Sequence, residues 1–368
     1  MKKWKCDRCD TEFTRRDSLY RHLKNVHKVD NPAAFMPEST RPKAKQKPEE
    51  VFEKTEEMVK SVVSSLESRK RLTPEKTTDG ELKPEIWLQL FGDLHYGLQV
   101  KPLEVGGLSE YNSIVAKERL EYLATTQISL LRYYPNKPKE LIIGFLGDMI
   151  DNAIMRGNQL ANVECGVTDQ VMLVTELVVD YLVEVSKHFA TIKCYGVFGN
   201  HGRVTKHPTD ASPKDNFDRL VYWAVKERIK DMKGISMEYS ESQHMIIEIS
   251  GWRFWIEHGD TVRAWAGIPF YGAKREKGNI AEMLSVFKEH AHYLMIGHHH
   301  TPADFNGIYI NGSFVGGDIF SIGRLRRMSM PSQTLLGISE KHGVVWKRDL
   351  QLVDTIAESE LKIYNKQE

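Results

Sequence analysis

Apolar runs alternate with amphipathic stretches from residue 85 onwards, and several runs end in Gly followed by a polar residue. Runs of this length with β-branched and aromatic residues are typical of buried strands, and they lie at 86–91, 141–146, 192–198 and 293–296. Amphipathic spacing predicts helices near 113–133, 168–188, 214–231 and 278–290. Alternation of strands and helices indicates an α/β body.

Shorter strand-like segments in the second half of the chain are joined by tight turns such as Ser250-Gly251. They lie at 236–240, 244–249, 252–258, 307–311, 335–339 and 343–350. Their short connections predict a second, partly antiparallel sheet.

The ends of the chain differ from this body, which we place at 85–355. Residues 1–30 form a compact basic module, and 31–84, rich in Pro, Lys, Glu, Ser and Thr, are interpreted as a flexible linker. Inside the linker, 49–70 lacks Pro and Gly and has apolar residues at helical spacing, so a helix is predicted there. Residues 356–368 are a charged tail.

Composition narrows the class of protein without deciding its function. Hydrophobic residues make up 41% and charged residues 27% of the chain, an ordinary globular mixture. No apolar run approaches the roughly 20 residues of a membrane span, and the first residues lack the apolar stretch of a secretory signal, so we expect an intracellular protein (cytoplasm, nucleoid or nucleus) with no membrane partner. Residues 1–47 hold 13 Lys and Arg against 6 Asp and Glu, which favours a polyanionic partner.

The basic module carries a metal-ligand pattern. Cys6-x2-Cys9 is followed after twelve residues by His22-x4-His27, and Phe13 lies between the two pairs. Leu19 is the second residue expected in a small core. Two thiolates and two imidazoles at this spacing complete a tetrahedral Zn²⁺ shell, and so short a segment needs the metal in order to fold. The segment resembles the two-Cys, two-His zinc finger family, which implies a ββα fold around one structural Zn²⁺.

The zinc finger resemblance also implies which side chains would meet DNA. Aligned on Leu19 and His22, the base-contacting positions −1, 3 and 6 are Arg15, Ser18 and Arg21. Because Arg commonly reads guanine, a G-x-G triplet is the expected preference. One finger covers only ~3 base pairs, so we expect salt-sensitive tethering to DNA rather than site selection. A finger that binds protein is the alternative.

Polar clusters follow the strand-like runs of the body. In chain order they are Asp93-x-His95, Asp148-x2-Asp151, Asn200-His201, His258 and His298-x-His300. Because ligand-binding loops gather at the carboxyl ends of strands in α/β sheets, these clusters are expected to meet at one site. Carboxylate, amide and imidazole groups without a thiolate suit Mn²⁺, Fe or Zn²⁺. Two such ions can hold a phosphate and activate a water molecule as hydroxide.

This ordered set resembles the calcineurin-like metallophosphoesterase superfamily over roughly residues 86–313. The motifs Asp93-Leu94-His95-Tyr96-Gly97 and Gly147-Asp148-Met149-Ile150-Asp151 are most similar to the DNA double-strand-break-repair exonuclease branch and its phage-encoded relatives. That branch commonly has an acidic residue where Gly202 follows Asn200-His201, so the substrate stays open.

The superfamily resemblance implies a four-layer α-β-β-α sandwich and a role for each residue. Asp93, His95 and His300 would hold the first ion, and Asn200, His258 and His298 the second. Asp148 would bridge both ions, His201 would donate the proton to the leaving group, and Asp151 would support the site. On an extended segment, His299 would point away from it.

The leading hypothesis is a metal-dependent DNA nuclease, exonuclease-like, that uses a hydroxide activated by two ions. The resemblance favours Mn²⁺, with Fe or Zn²⁺ as alternatives, and its branch often forms homodimers. Two other functions stay open. One is a phosphatase or phosphodiesterase acting on nucleotides or phosphoproteins, with the finger serving localisation. The other is a non-catalytic nucleic-acid-binding subunit.

Overall fold

The computed structural model describes residues 4–30, 57, 60–61, 64, 85–134, 137–155, 159–265 and 269–353. The chain divides into two compact units, Met1–Thr78 and Asp79–Glu368. Most of the predicted linker and the tail at 356–368 lie outside the described residues. Of the helix predicted at 49–70, the described residues are helical and exposed: Glu57, Lys60, Ser61 and Ser64. Among the described helices, none has the length and apolar character needed to cross a bilayer.

The first unit contains two short strands and one helix. Strand β1 (Trp4–Lys5) pairs antiparallel with β2 (Glu12–Phe13), and helix α1 (Arg16–Asn25) follows. Its core is a cluster of buried side chains with three aromatic neighbours: Cys6, Leu19, Leu23, Trp4, Phe13 and Tyr20. So small an apolar core cannot hold a fold by itself, because too little surface leaves water.

The second unit is a mixed α/β body built on two sheets. The larger sheet has the order β13-β12-β3-β4-β5-β6. Its strands are β3 (Ile86–Phe91), β4 (Glu140–Phe145), β5 (Thr191–Gly196), β6 (Ile235–Tyr239), β12 (Ser332–Ser339) and β13 (Gly343–Gln351). Strands β3 to β6 are parallel, whereas β12 and β13 run antiparallel at one edge. The parallel part therefore places three strand ends side by side, after β3, β4 and β5.

The smaller sheet has the order β10-β11-β9-β8-β7. Its strands are β7 (His244–Ile249), β8 (Trp252–Glu257), β9 (Tyr293–Ile296), β10 (Ala303–Phe305) and β11 (Ile308–Ile310). Strands β8 and β9 are parallel neighbours, so the loops that follow them also lie side by side. The predicted second, partly antiparallel sheet is present. Three of the six segments from which it was predicted lie instead in the larger sheet, because 236–240, 335–339 and 343–350 correspond to β6, β12 and β13.

Helices cover the sheets. They are α2 (Ser113–Tyr133), α3 (Val167–Ser186), α4 (Phe217–Ile229) and α5 (Phe270–Ser285). Residues of α2, α3 and α4 form one buried cluster with the larger sheet, and residues of α5 form another with the smaller sheet. A third cluster, which includes Leu88, Ile142, Phe254 and Met295, joins the two sheets to each other. Each sheet thus has two buried faces, and this explains why β3 and β4 are almost continuously apolar.

The predicted helix near 278–290 is wrong in position, because α5 begins at Phe270 and ends at Ser285. Gly272 and Gly278 within the helix obscured its start, since Gly is a poor helix former. At Gly272 a Cβ atom would lie 2.1 Å from the carbonyl oxygen of Arg263, so close packing requires glycine there.

Candidate metal centre

The loops after β3, β4 and β9 hold polar side chains in an unusual backbone conformation. Five of the predicted ligands have a positive φ, in the left-handed region that non-glycine residues rarely adopt. They are Asp93 (54°), His95 (46°), Asp148 (53°), His298 (63°) and His300 (57°). Such strain persists only where the surrounding fold imposes it, and it concentrates at functional sites.

Two glycines let the loops after β4 and β5 touch. A Cβ atom on Gly147 would lie 2.2 Å from the backbone nitrogen of Gly199, and one on Gly199 would lie 2.0 Å from Oδ1 of Asp148. Any side chain at either position would push the loops apart. The two glycines therefore set the position of the Asp148 carboxylate.

One cluster of ligand atoms consists of Asp93, His95 and His300. Oδ1 of Asp93 lies 3.2 Å from Nε2 of His300 and 3.9 Å from Nε2 of His95. The two Nε2 atoms are 3.2 Å apart. Burial raises the pKa of Asp93, but the neighbouring imidazole of His300 outweighs it and holds that pKa below its usual range. The three residues are the set predicted for the first ion, and they could hold a metal ion.

A second cluster consists of Asp148, His258 and His298, with Asn200 beside it. Nε2 of His258 lies 3.1 Å from Oδ2 of Asp148, 3.0 Å from Oδ1 of Asn200 and 3.3 Å from Nδ1 of His298. The three charged or ring groups could hold a second ion. Asn200 thus lies among the residues with which it was predicted to act.

Asp148 lies between the two clusters. Its Oδ2 atom is 3.7 Å from Nε2 of His95 in the first cluster and 3.1 Å from Nε2 of His258 in the second. Although burial raises the pKa of Asp148, the imidazoles of His258 and His201 hold it well below its usual range. A buried carboxylate shared by two clusters is placed where a bridging ligand would have to be.

Hydrogen bonds at Nδ1 of His95 and His258 orient the Nε2 atoms of these rings toward the site. Nδ1 of His95 lies 3.1 Å from Oδ1 of Asp151, and Nδ1 of His258 lies 2.7 Å from the carbonyl oxygen of Leu146. When Nδ1 donates to these acceptors, the Nε2 lone pair faces inward, as in metal-bound histidines. Converging lone pairs and carboxylates suit a divalent cation that accepts nitrogen and oxygen ligands.

The pKa of His258 indicates that the carboxylates around it favour a positive charge. Burial lowers its pKa, but the adjacent Asp148 carboxylate more than offsets this and raises the pKa of His258 to about 10. Without an ion, a proton supplies the positive charge that the carboxylates require.

His201 lies beside the first cluster without belonging to its ligands. Its backbone N–H donates to Oδ1 of Asp148 at 2.7 Å, and its Nδ1 lies 2.8 Å from the carbonyl oxygen of Asp151. Oδ1 of Asp151 is 3.1 Å from Nδ1 of His201 and equally far from Nδ1 of His95. Burial raises the pKa of Asp151, but these two imidazoles hold it far below its usual range. One carboxylate therefore orients both rings.

The expectation that His299 points away on an extended segment is wrong. His298 and His300 have left-handed backbones, so the segment is not extended. His299 lines the same cavity as its neighbours, and burial lowers its pKa to about 4.

Sequence reasoning missed several residues that position the site. The Asp218 carboxylate accepts the backbone N–H groups of Asp148 (2.9 Å), Met149 (3.1 Å) and Gly199 (2.8 Å). Burial and the nearby Asp148 carboxylate raise the pKa of Asp218 to about 6. Its signal in the sequence was weak, because an acidic residue in the first turn of a helix is common. Asn152 similarly donates to the carbonyl oxygens of His201 and Arg203.

The first unit holds a separate cluster of Cys6, Cys9, His22 and His27, the predicted zinc ligands, which could hold a metal ion. Nε2 of His22 lies 3.1 Å from Sγ of Cys9 and 3.2 Å from Nε2 of His27. Hydrogen bonds from Thr11 and His27 lower the pKa of Cys9 to about 5, which favours the thiolate that binds metal.

The three predicted DNA-contacting residues lie at or within the first helix of this unit. Arg15 is the residue immediately before α1, while Ser18 and Arg21 follow within it at intervals of three. Arg15 and Arg21 are exposed and Ser18 is half-buried. Their spacing places them on one face, and their contact with nucleic acid stays a prediction.

The chain is similar at low sequence identity to a prophage-derived protein and to a hydrolase of known structure. No family model matches the chain. The chain is 22% identical over 212 residues to the SPbeta prophage-derived uncharacterized protein YonJ of Bacillus subtilis (strain 168), a match that covers 57% of this chain and 48% of YonJ. The matched region thus spans about half of that relative. A crystal structure of phosphopantetheinyl hydrolase (PptH) from Mycobacterium tuberculosis is similar with a TM-score of 0.26 and 12% identity, over 67% of this chain and 95% of that one.

Proposed function

We propose that the body is a two-metal phosphoesterase and that its substrate is DNA, which it cleaves as an exonuclease-like nuclease. The observation that carries this proposal is the position of Asp148 between two clusters of imidazole and carboxylate ligands. A carboxylate there can screen the repulsion between two ions that hold one phosphate. Such a pair suits hydrolysis of a phosphate ester.

The roles of the side chains follow from their contacts. Two sets of side chains would hold the ions, with Asp148 shared by both: Asp93, His95 and His300 for one, and Asn200, His258 and His298 for the other. When bound, the ions would neutralise charge on the phosphate and make a water molecule more acidic. His201 would carry the proton for the departing oxygen, because the Asp151 carboxylate stabilises its ring when both nitrogens are protonated.

The architecture supports the same proposal. Helices packed on the outer faces of two packed sheets support a four-layer α-β-β-α sandwich. The strands, helix and ligand cluster of the first unit support a ββα zinc finger. The finger would tether the enzyme to DNA, which raises the local concentration of substrate. Mn²⁺ as the working ion, a homodimer and an intracellular location complete the proposal.

The test is digestion of end-labelled linear and circular DNA with Mn²⁺, together with a small chromogenic phosphodiester. The wild type is compared with Asp148→Ala and His201→Ala, and with His188→Ala as a control on the exposed surface. We expect the wild type and the control to degrade DNA, and both site variants to lose activity by orders of magnitude. Digestion of linear DNA alone would identify an exonuclease.

The other outcomes separate the parts of the proposal. If DNA survives while the small phosphodiester is cleaved, the metal centre is catalytic and the substrate is a different phosphate ester. If neither is cleaved with Mn²⁺, Fe²⁺ or Zn²⁺, the body is not a phosphodiesterase. Equal activity of wild type and Asp148→Ala would place the catalysis elsewhere.

A further inference from the structure

Two cavities meet at the metal centre. The main cavity, about 520 Å³, is lined by Asp148, His201 and His300 and by the arginines Arg263 and Arg327. The side cavity, about 610 Å³, adjoins it, because the residues Asp318 and Phe320 line both. Both volumes fall within the roughly 300–1,000 Å³ that small-molecule sites occupy. Residues proposed to hold the ions line the main cavity, and none of them lines the side cavity. The side cavity is therefore not part of the proposed metal site.

The walls of the side cavity combine apolar and amide-bearing residues. The buried residues Leu98 and Val100 line it, together with Gln99, Gln159 and Asn162. Phe320, which is 48% exposed, lines both cavities. Apolar surface with a few amides and an aromatic ring is the composition that binds a planar heterocycle.

Both cavities are lined by acidic and basic residues. The main cavity has Asp148, Asp260, Asp318, Arg263 and Arg327, and the side cavity has Asp151, Asp318 and Arg324. The arginines of the main cavity can meet a phosphate, and a carboxylate such as that of Asp318, which lines both cavities, can accept a hydrogen bond from a neutral N–H or O–H group. A polar group joined to a phosphate therefore suits the two adjoining cavities.

A contact between residues of the two cavities indicates where a ligand of the side cavity would lie. His201 lines the main cavity and Asp151 the side cavity, and Nδ1 of His201 is 2.8 Å from the carbonyl oxygen of Asp151. The side cavity thus opens next to the residue assigned as proton donor. Arg324 also lines it and can meet the next phosphate of a chain.

Resting on the proposed phosphoesterase function, we propose that the side cavity binds the nucleoside attached to the scissile phosphate. The base lies against Phe320 and is met by the amides of Gln99 and Asn162. The preferred substrate is then a nucleotide ester, and simple esters or phosphoproteins are poor substrates. Phe320 is a specificity residue in this arrangement, because it touches the substrate away from the reacting atoms.

Two chromogenic diesters test this directly: the 4-nitrophenyl ester of thymidine 5′-phosphate, and methyl 4-nitrophenyl phosphate, which lacks the nucleoside. Because stacking of a base on an aromatic ring contributes about 1–3 kcal/mol, we expect kcat/KM of the wild type to favour the nucleotide ester by about tenfold or more. Phe320→Ala and Asn162→Ala should reduce that preference mainly through KM. Phe320→Trp should restore it, which a merely structural role would not predict.

The control is Phe287→Ala, which removes a ring that is 73% exposed and lines neither cavity. It should keep the preference of the wild type. Cleavage of both esters at equal rates by the wild type, or a preference that survives in Phe320→Ala and Asn162→Ala, would overturn the inference and leave the proposed function standing. Failure to cleave either ester would instead overturn the proposed function.

Discussion

The two candidate metal sites, one in the first unit and one in the body, are built in opposite ways. In the first unit, the candidate ligands Cys6, Cys9, His22 and His27 come from one short segment whose core is a few side chains around Leu19 and Leu23. In the body, the candidate ligands come from loops that are up to 207 residues apart, between Asp93 and His300, and rest on two packed sheets. In the proposed function, the metal would organise the first unit, whereas the fold of the body already places the side chains that would hold its ions.

The candidate ligands of the body and of the first unit also differ in backbone strain. Ligands of the body such as Asp93, Asp148 and His298 have left-handed backbones, which each cost of order 1–3 kcal/mol. Burial of the surrounding core offsets that cost before any ion binds. The four candidate ligands of the first unit have no positive φ, although Asp10 and Lys28 of the same unit do.

Metal removal should separate the two regions most sharply. With a strong chelator we expect the first unit to unfold and the body to keep its cooperative unfolding transition. Structural Zn²⁺ contributes about 10–16 kcal/mol to the folding of zinc-finger peptides, more than the small core around Leu19 and Leu23 can replace. Resolved amide NMR signals of 4–30 and the denaturant transition of the body would be recorded together. Cys6→Ser should mimic the chelator for the first unit alone, and a finger that stays folded in both cases would contradict the comparison.

Removal of the proposed proton donor, His201, should have the largest effect on catalysis. In His201→Ala we expect turnover of a phosphodiester to fall about 10²–10⁴-fold, because general acid catalysis is removed while the predicted ligands stay. The matched variant His27→Ala in the finger should leave turnover of a small ester unchanged. Loss of turnover of that ester in His27→Ala, or retained turnover in His201→Ala, would contradict the separation between the first unit and the body.

Asp218 tests whether the body positions its own ligands. Asp218→Ala leaves three buried N–H groups without their acceptor, including that of Asp148, and should lower the free energy of unfolding by about 3 kcal/mol. Urea unfolding would measure it, with the exposed Asp180→Ala as control. Asp218→Asn keeps one acceptor oxygen and should lose less. An unchanged unfolding midpoint in Asp218→Ala would show that the loops are held by other contacts.

The smallest expected effect concerns the finger and DNA. If Arg21 reads guanine, Arg21→Ala should weaken binding by about 1–3 kcal/mol and relax the preference at that base alone. Binding to duplexes that carry G-x-G or A-x-G triplets would be compared over a range of salt concentrations. A uniform loss for every sequence would assign Arg21 to a phosphate, and no loss would favour a finger that binds protein.

Much of the architecture could be predicted from local pattern. Strands β3, β7 and β9 have the bounds that alternation and apolar runs predict, since each is a short apolar run with a clear polar or Gly boundary. Helix α5 was misplaced because Gly272 serves a packing contact that local pattern does not show.

The candidate site also contains some residues that the sequence pattern predicts and others that it does not. Its ligands were recognisable because each follows a strand-like run and carries a metal-binding side chain. Asp218, Asn152 and Gln159 were not, because they act through contacts with residues elsewhere in the chain. The side cavity was equally hidden, since Leu98 and Phe320 are brought together only by the fold.

The most direct test of the central claim is the number and position of ions in the body. Crystals of the wild type grown with Mn²⁺ would be measured for anomalous scattering, alongside those of Asp148→Ala. Two peaks on either side of the Asp148 carboxylate, both weakened or lost in the variant, are the predicted result. A single peak, or peaks that do not contact Asp93, His258 or Asp148, would contradict the two-metal centre.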